Sequence, residues 1–257
     1  MLGIIPARYD STRFPGKPLA KLGSRPMIQW VYERASTYFR HLAVATDDER
    51  IFRTVREFGG RAVMTDPGHG SGTERCAEAF RILGEEEQMN YTHVVNIQGD
   101  EPLLAPQQFD ALISGFRDPG VSVATLIRPL KDPGEVTNPN VVKVVVDRRF
   151  RALYFSRSPI PFYRESLSSP GKPSFPGPEQ GRTAPSGFFA HVGLYGFRAG
   201  QLDELVHLPP SPLEQAESLE QLRWLEHGYT IQTSVTEFTS HGVDTPEDLE
   251  RIAHLFE

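Results

Sequence analysis

The chain has 257 residues, of which 39% are hydrophobic and 23% charged, enough for one large soluble domain, or a domain with an arm, around a sizeable core. Its net charge of -6 excludes a general nucleic-acid binder, which needs a basic face. The one cysteine, Cys76, excludes an internal disulfide and a thiolate metal cluster.

The chain opens on a strand, "LGIIP", with no charged-then-apolar signal pattern before it. No apolar stretch approaches the ~18 residues of a spanning helix, so the expected location is the cytoplasm. "PMIQWVYERASTYF" predicts a helix with Pro26 at its first position, and "HLAVAT" a second strand. "DDERIFRTVREFGG" has acids at the start and glycines at the stop of a helix. "RAVMT" is a third strand, "GTERCAEAFRIL" a helix that buries Cys76, and "THVVNIQ" a fourth strand. This alternation predicts a mostly parallel α/β sheet, covered on both faces, with ligands at the carboxyl ends of the strands.

After about residue 120 the regularity changes. "VSVATLIRPL", "NVVKVVVD" and "RALYFS" read as successive strands without long helices between them. Residues 166–187 carry five prolines and four glycines and predict a long loop. "HVGLYGF" is a strand, "SPLEQAESLEQLRWLEHG" one helix, "TIQTSVTEF" a strand and "TPEDLERIAHLF" a closing helix.

The first strand runs into "ARYDSTRFPGKPLA", where Arg8, Arg13 and Lys17 have only Asp10 to offset them. Prolines and Gly16 break regular structure there and let backbone N–H groups curl toward an anion. Guanidinium forks and an ammonium at this spacing suit a triphosphate. The dinucleotide and P-loop glycine fingerprints are both missing, which disfavours those enzyme classes. "NIQGDEP" sets Asp100 and Glu101 just past the fourth strand, as a turn or as oxygen ligands for Mg²⁺. In "GVDTPEDL", Thr245 and Pro246 already start a helix, which leaves Asp244 free for another role. "HGSGTER" offers small polar groups at a helix N-terminus, with Glu74 a first-turn acid and Arg75 without an obvious structural reason.

Taken together, "IPARYDSTRFPGKPLA", "HGSGTER", "NIQGDEP", "NPNVVKVV", "ALYFSR", "HVGLYGFR", "SPLEQAESLEQLR" and "GVDTPEDLER" resemble, over nearly the whole chain, the 3-deoxy-manno-octulosonate cytidylyltransferases. The resemblance implies a Rossmann-like α/β nucleotidyltransferase core, mostly parallel, with a smaller dimerisation arm, here at about 125–195. It implies formation of CMP-Kdo and pyrophosphate from CTP and Kdo, with Mg²⁺, by a homodimer serving lipopolysaccharide synthesis. Catalytic roles would fall to Arg8, Lys17, Asp100 and Asp244, the two aspartates as metal ligands. Arg8, Ser11 and Lys17 would meet the CTP phosphates, and Ser71 and Gln98, with backbone near Pro6 and Ala7, the cytosine and ribose. Arg13, Arg75, Gln98, Arg157, Arg164, His191, Tyr195, Glu220 and Gln221 would form the Kdo pocket.

Read without the resemblance, Arg157 and Arg164 are loop arginines, His191 a structural histidine, and Glu220 and Gln221 a solvated helix face. The 166–187 segment looks longer than the family pattern and would act as a lid. CMP-sialic acid synthetases fit "SPLEQAESLEQLR" poorly. Transferases for 8-amino-Kdo usually carry Gln where this chain has Glu101, so "GDEP" favours ordinary Kdo. A non-catalytic nucleotide sensor on the same fold would be expected to have lost a metal carboxylate or a loop cation, and all of them are present.

Overall fold

A computed structural model describes residues 1–11, 13–163, 187–238 and 242–256. The proposed lid at 166–187, apart from Gly187, and Arg164 lie outside the described residues. In chain order the elements begin β1 (Leu2–Ala7), β2 (Lys21–Leu22), β3 (Arg25–Pro26), α1 (Met27–Ser36), β4 (Leu42–Thr46) and α2 (Glu49–Glu57). They continue β5 (Ala62–Met64), α3 (Gly72–Glu87), β6 (His93–Asn96), α4 (Pro106–Ser114), β7 (Val123–Pro129), α5 (Pro133–Thr137), β8 (Lys143–Val146) and β9 (Ala152–Ser156). Last come β10 (Phe189–Arg198), α6 (Ala199–Val206), α7 (Pro212–Glu217), α8 (Gln221–Glu226), β11 (Ile231–Val235) and α9 (Pro246–Ala253). Among the described residues no helix is long and apolar enough to cross a membrane.

Two compact units divide the chain. One takes Met1–Phe109, Leu194–Val206 and Ser240–Glu257, the other Asp110–Gly193 and His207–Thr239. In the first unit β1 lies between β4 and β6 and runs parallel to both, with Ile5 opposite Val44 and Ile4 opposite Asn96. β5 continues the parallel sheet beyond β4, and Tyr195–Arg198 of β10 closes it antiparallel to β6. Every residue of β4 is buried, as a strand covered on both faces requires. The expected mostly parallel α/β core is what forms. Cys76 is buried in α3, as expected of a free cysteine that packs as a small apolar group.

In this unit α2, α3 and α9 start on side-chain caps. Asp48 accepts the N–H groups of Arg50 and Ile51 at the head of α2, and Ser71 accepts that of Glu74 at the head of α3. Pro26 caps α1 from outside rather than occupying its first turn.

In the second unit β11 runs parallel to β7, while β8 is antiparallel to both β9 and Phe189–Ala190 of β10. The single helix expected over 211–228 is two. A capping box between Ser211 and Glu214 starts α7. Ser218 then turns left-handed at φ 52, and Leu219 buries itself while its N–H bonds back to Glu214 at 3.2 Å. Glu217 is drawn off the helix to the Ser156 hydroxyl and the Arg157 N–H. α4, α5 and α6 are short helices that the hydrophobic pattern does not announce.

Candidate active site

The basic loop leaves β1 at Ala7 and is pinned on itself. Gly16, at φ 73, donates to the Tyr9 carbonyl at 2.8 Å, and a Cβ there would meet the Tyr9 ring at 3.0 Å. The Tyr9 ring also carries a cation: the Arg50 guanidinium lies 3.3 Å from its centroid and is also forked onto Asp48. That fork holds the Asp48 carboxyl below its usual range. Between these anchors Arg8 is exposed and has no ion pair or hydrogen bond among the described residues.

Lys17 opens a short 3-10 turn and points its ammonium at two carboxylates, 2.6 Å from Asp100 Oδ2 and 3.2 Å from Asp244 Oδ1. Arg13 reaches the other oxygen of Asp244 at 3.0 Å. The two aspartates are 144 positions apart in sequence and are tied together by backbone: Val243 N–H donates to the Asp100 carbonyl at 2.9 Å. An apolar cluster of Leu22, Met27, Val243, Ile252 and Phe256, with Phe14 and Trp30 against it, packs the segment after 242 beside the loop. Asp248 makes the capping box with Thr245 and also accepts the Asp244 N–H at 3.0 Å. Burial opposes ionisation of Asp248, but those N–H donors and Arg251 outweigh it and lower its pKa. The Asp244 side chain is therefore left to the cations.

The "HGSGTER" turn approaches from α3. A Cβ on Gly72 would meet the Pro6 ring at 3.2 Å, so the turn passes close to the end of β1. His69 is gripped through Nε2 by Glu78 at 2.6 Å, and Glu78 also accepts the Asp66 N–H at 2.7 Å. Burial raises the Glu78 pKa, and these two donors more than cancel it. Arg75 is 3% exposed, with its guanidinium on Thr65 Oγ1 at 2.6 Å and Asp47 Oδ2 at 2.9 Å.

One cavity of about 300 Å³ is lined by Arg8, Ser11, Arg13, Lys17, Ser71, Arg75, Gln98, Asp100 and Asp244, a small-molecule dimension at the carboxyl end of β1. His69 lines it too, although nothing but its place at the head of the motif marked it. Tyr195, of the same unit, is buried in β10 opposite Asn96 and does not line it.

Arg157, His191, Glu220 and Gln221 belong to the second unit. Arg157 spends its guanidinium on three carbonyls, those of Glu217 at 2.7 Å, Pro139 at 3.1 Å and Ser218 at 3.3 Å. The His191 ring meets Thr125 Oγ1 at 2.9 Å and the Phe155 ring edge-on, and burial pushes its pKa down to about 3. Gln221 is buried at the start of α8, with Glu220 at the cap position before it. Lys143 is fully buried, bonded to the carbonyls of Asn138, at 2.9 Å, and Arg157. Burial lowers its pKa, against the pull of Glu217 and with the push of Arg157.

The cytidylyltransferase family model matches residues 2–232. The 3-deoxy-manno-octulosonate cytidylyltransferase of Phocaeicola vulgatus is 50% identical over 253 residues, covering 97% of this chain and 94% of the relative. That of Parabacteroides distasonis is 47% identical, covering 97% and 95%. The chain belongs to the 3-deoxy-manno-octulosonate cytidylyltransferase family. A solved structure described as CMP:2-keto-3-deoxy-manno-octonic acid synthetase complexed with CTP superposes with a TM-score of 0.84 at 41% identity, covering 99% of this chain and 97% of that one. The family's activity is enzymatic, and the resemblance carried by the sequence motifs holds.

Within this family member, the partners of Arg75 are the residues that reading by motif misses. Asp47 follows β4 and Thr65 follows β5, so the sheet brings them together and no spacing in the sequence does. Lys143 did leave a signal, a lone charge inside "VVKVVV".

Proposed function

We propose that this chain transfers the cytidylyl group of CTP to Kdo, releasing CMP-Kdo and pyrophosphate. The observation that carries the reading is the convergence of Asp100, Asp244, Lys17 and Arg13 beside the uncommitted Arg8. The sugar's anomeric hydroxyl attacks the α-phosphorus in line and expels pyrophosphate, a reaction governed by positioning and charge stabilisation. Arg8, Ser11 and Lys17 bind the phosphates and take up charge on the leaving group. Ser71 and Gln98, with backbone at Pro6 and Ala7, orient cytosine and ribose.

Two carboxylates whose oxygens converge on one cation form a hard, all-oxygen donor set, which suits Mg²⁺. Asp100 and Asp244 would hold the ion, which when bound neutralises α-phosphate charge and eases ionisation of the attacking hydroxyl. For the sugar acid we assign Arg13, Arg75 and Gln98, which line the cavity. Arg13, 60% exposed, has guanidinium surface to offer a carboxylate. A cytoplasmic homodimer is the assembly this reading adopts from the family resemblance.

The test is pyrophosphate release with Kdo and Mg²⁺ when CTP, UTP, ATP or GTP is supplied. Release with CTP alone is expected. Equal release with UTP would remove the assignment of Ser71 and Gln98 to the base.

A further inference from the structure

The carboxylates that would hold the divalent ion are already in use. Lys17 Nζ touches one oxygen of each aspartate, and Arg13 touches the second oxygen of Asp244. The Lys17 side chain is only 14% exposed, so this ammonium is a poorly hydrated ion lodged between its partners. Two formal negative charges are balanced by two formal positive ones. An ion ligated by both aspartates needs an oxygen of Asp244, both of which now face cations, and its charge repels the ammonium at short range in a partly desolvated site. Both cations cannot keep the pair. A triphosphate changes the balance, because it offers Lys17 and Arg13 new anionic partners in the same cavity, which Arg8 also lines.

We propose that Lys17 is a displaceable counter-ion. It holds Asp100 and Asp244 together before substrate binds, and passes from the carboxylates to the phosphates as CTP and the divalent ion enter together. The site therefore binds the divalent ion weakly by itself and tightly with nucleotide. Lys17 thus acts twice, first as keeper of the metal ligands and then as a phosphate ligand. This rests on the reading of Asp100 and Asp244 as metal ligands.

The experiment is direct binding of Mn²⁺ to the full-length protein without nucleotide, followed by electron paramagnetic resonance. Wild type, Lys17→Met, Asp100→Asn and the double variant Lys17→Met/Asp100→Asn are compared. Lys17→Met should bind Mn²⁺ at least tenfold more tightly than wild type, and the double variant should lose that gain. Equal affinities of wild type and Lys17→Met, with loss in the double variant, would overturn the counter-ion role and leave the metal ligands standing. Unchanged tight binding in the double variant would instead overturn the metal ligands.

A second measurement needs no variant to fold. The Lys17 side-chain ammonium signal of the wild-type protein is followed by NMR. It should move on adding Mg²⁺ with CTP and stay in place with Mg²⁺ alone at the same concentration. Equal movement with Mg²⁺ alone, or no movement with both, would contradict the proposal.

Discussion

Asp100 sits just past β6 and Asp244 just before the cap of α9, and a single ammonium reads both. Asp100→Asn keeps the shape and removes the charge, so it should lower kcat at least about a hundredfold while the melting temperature hardly changes. Retention of near-normal kcat would show that the metal assignment is wrong. Gly16→Ala forces a side chain onto a left-handed φ of 73 and against the Tyr9 ring, so it should loosen the loop and raise the KM for CTP. His191 makes a pH-dependent contribution. Its folded pKa of about 3 lies below the ordinary 6.5, so the unfolded chain binds more protons between those values. The stability it brings is complete above 6.5 and is lost as pH falls toward 3. The acid-side fall in melting temperature should be shallower in His191→Gln than in wild type; parallel curves would contradict the buried neutral ring. At this scale Asp244 was legible, because Thr245 and Pro246 left it no capping duty. The grip of Asp47 on Arg75 was not, because only the folded sheet brings the two together.

At the scale of elements, α3 is the one that ties stability to the site. Its cap, Ser71, lines the cavity, and its first turn carries the buried Arg75 into a pair with the half-buried Asp47. Ser71→Ala should cost about 1 kcal/mol of unfolding free energy through the lost cap. Arg75→Met leaves Asp47 without its charge partner and should cost about 3 kcal/mol. Urea titrations of both variants measure these costs, and an Arg75→Met protein as stable as wild type would show the pair to be dispensable. Apart from the two-residue strands β2 and β3, the strands and helices up to β6 were legible because apolar runs and caps are local signals. The break between α7 and α8 was not. "PLEQAESLEQLRWLE" has an unbroken helical composition, and the break comes from tertiary demands on Glu217 and Leu219.

For the whole molecule, alternating strand and helix patterns up to residue 98 announced the parallel core, and the observed pairing of β1 with β4 and β6 follows that order. The second unit was harder to read, because β7 pairs with β11 across more than a hundred positions and few helices punctuate its strands. It also carries Arg157, His191, Glu220 and Gln221, so the sugar assignment leans on family resemblance more than the nucleotide assignment does. Sugar identity is therefore the point to test first. Pyrophosphate release should be measured with CTP and Mg²⁺ while Kdo, 8-amino-Kdo and N-acetylneuraminate are supplied in parallel. Release with Kdo and not with the other two acids is the predicted result. Release with another acid and none with Kdo would contradict the account of the sugar, while leaving the triphosphate loop in place.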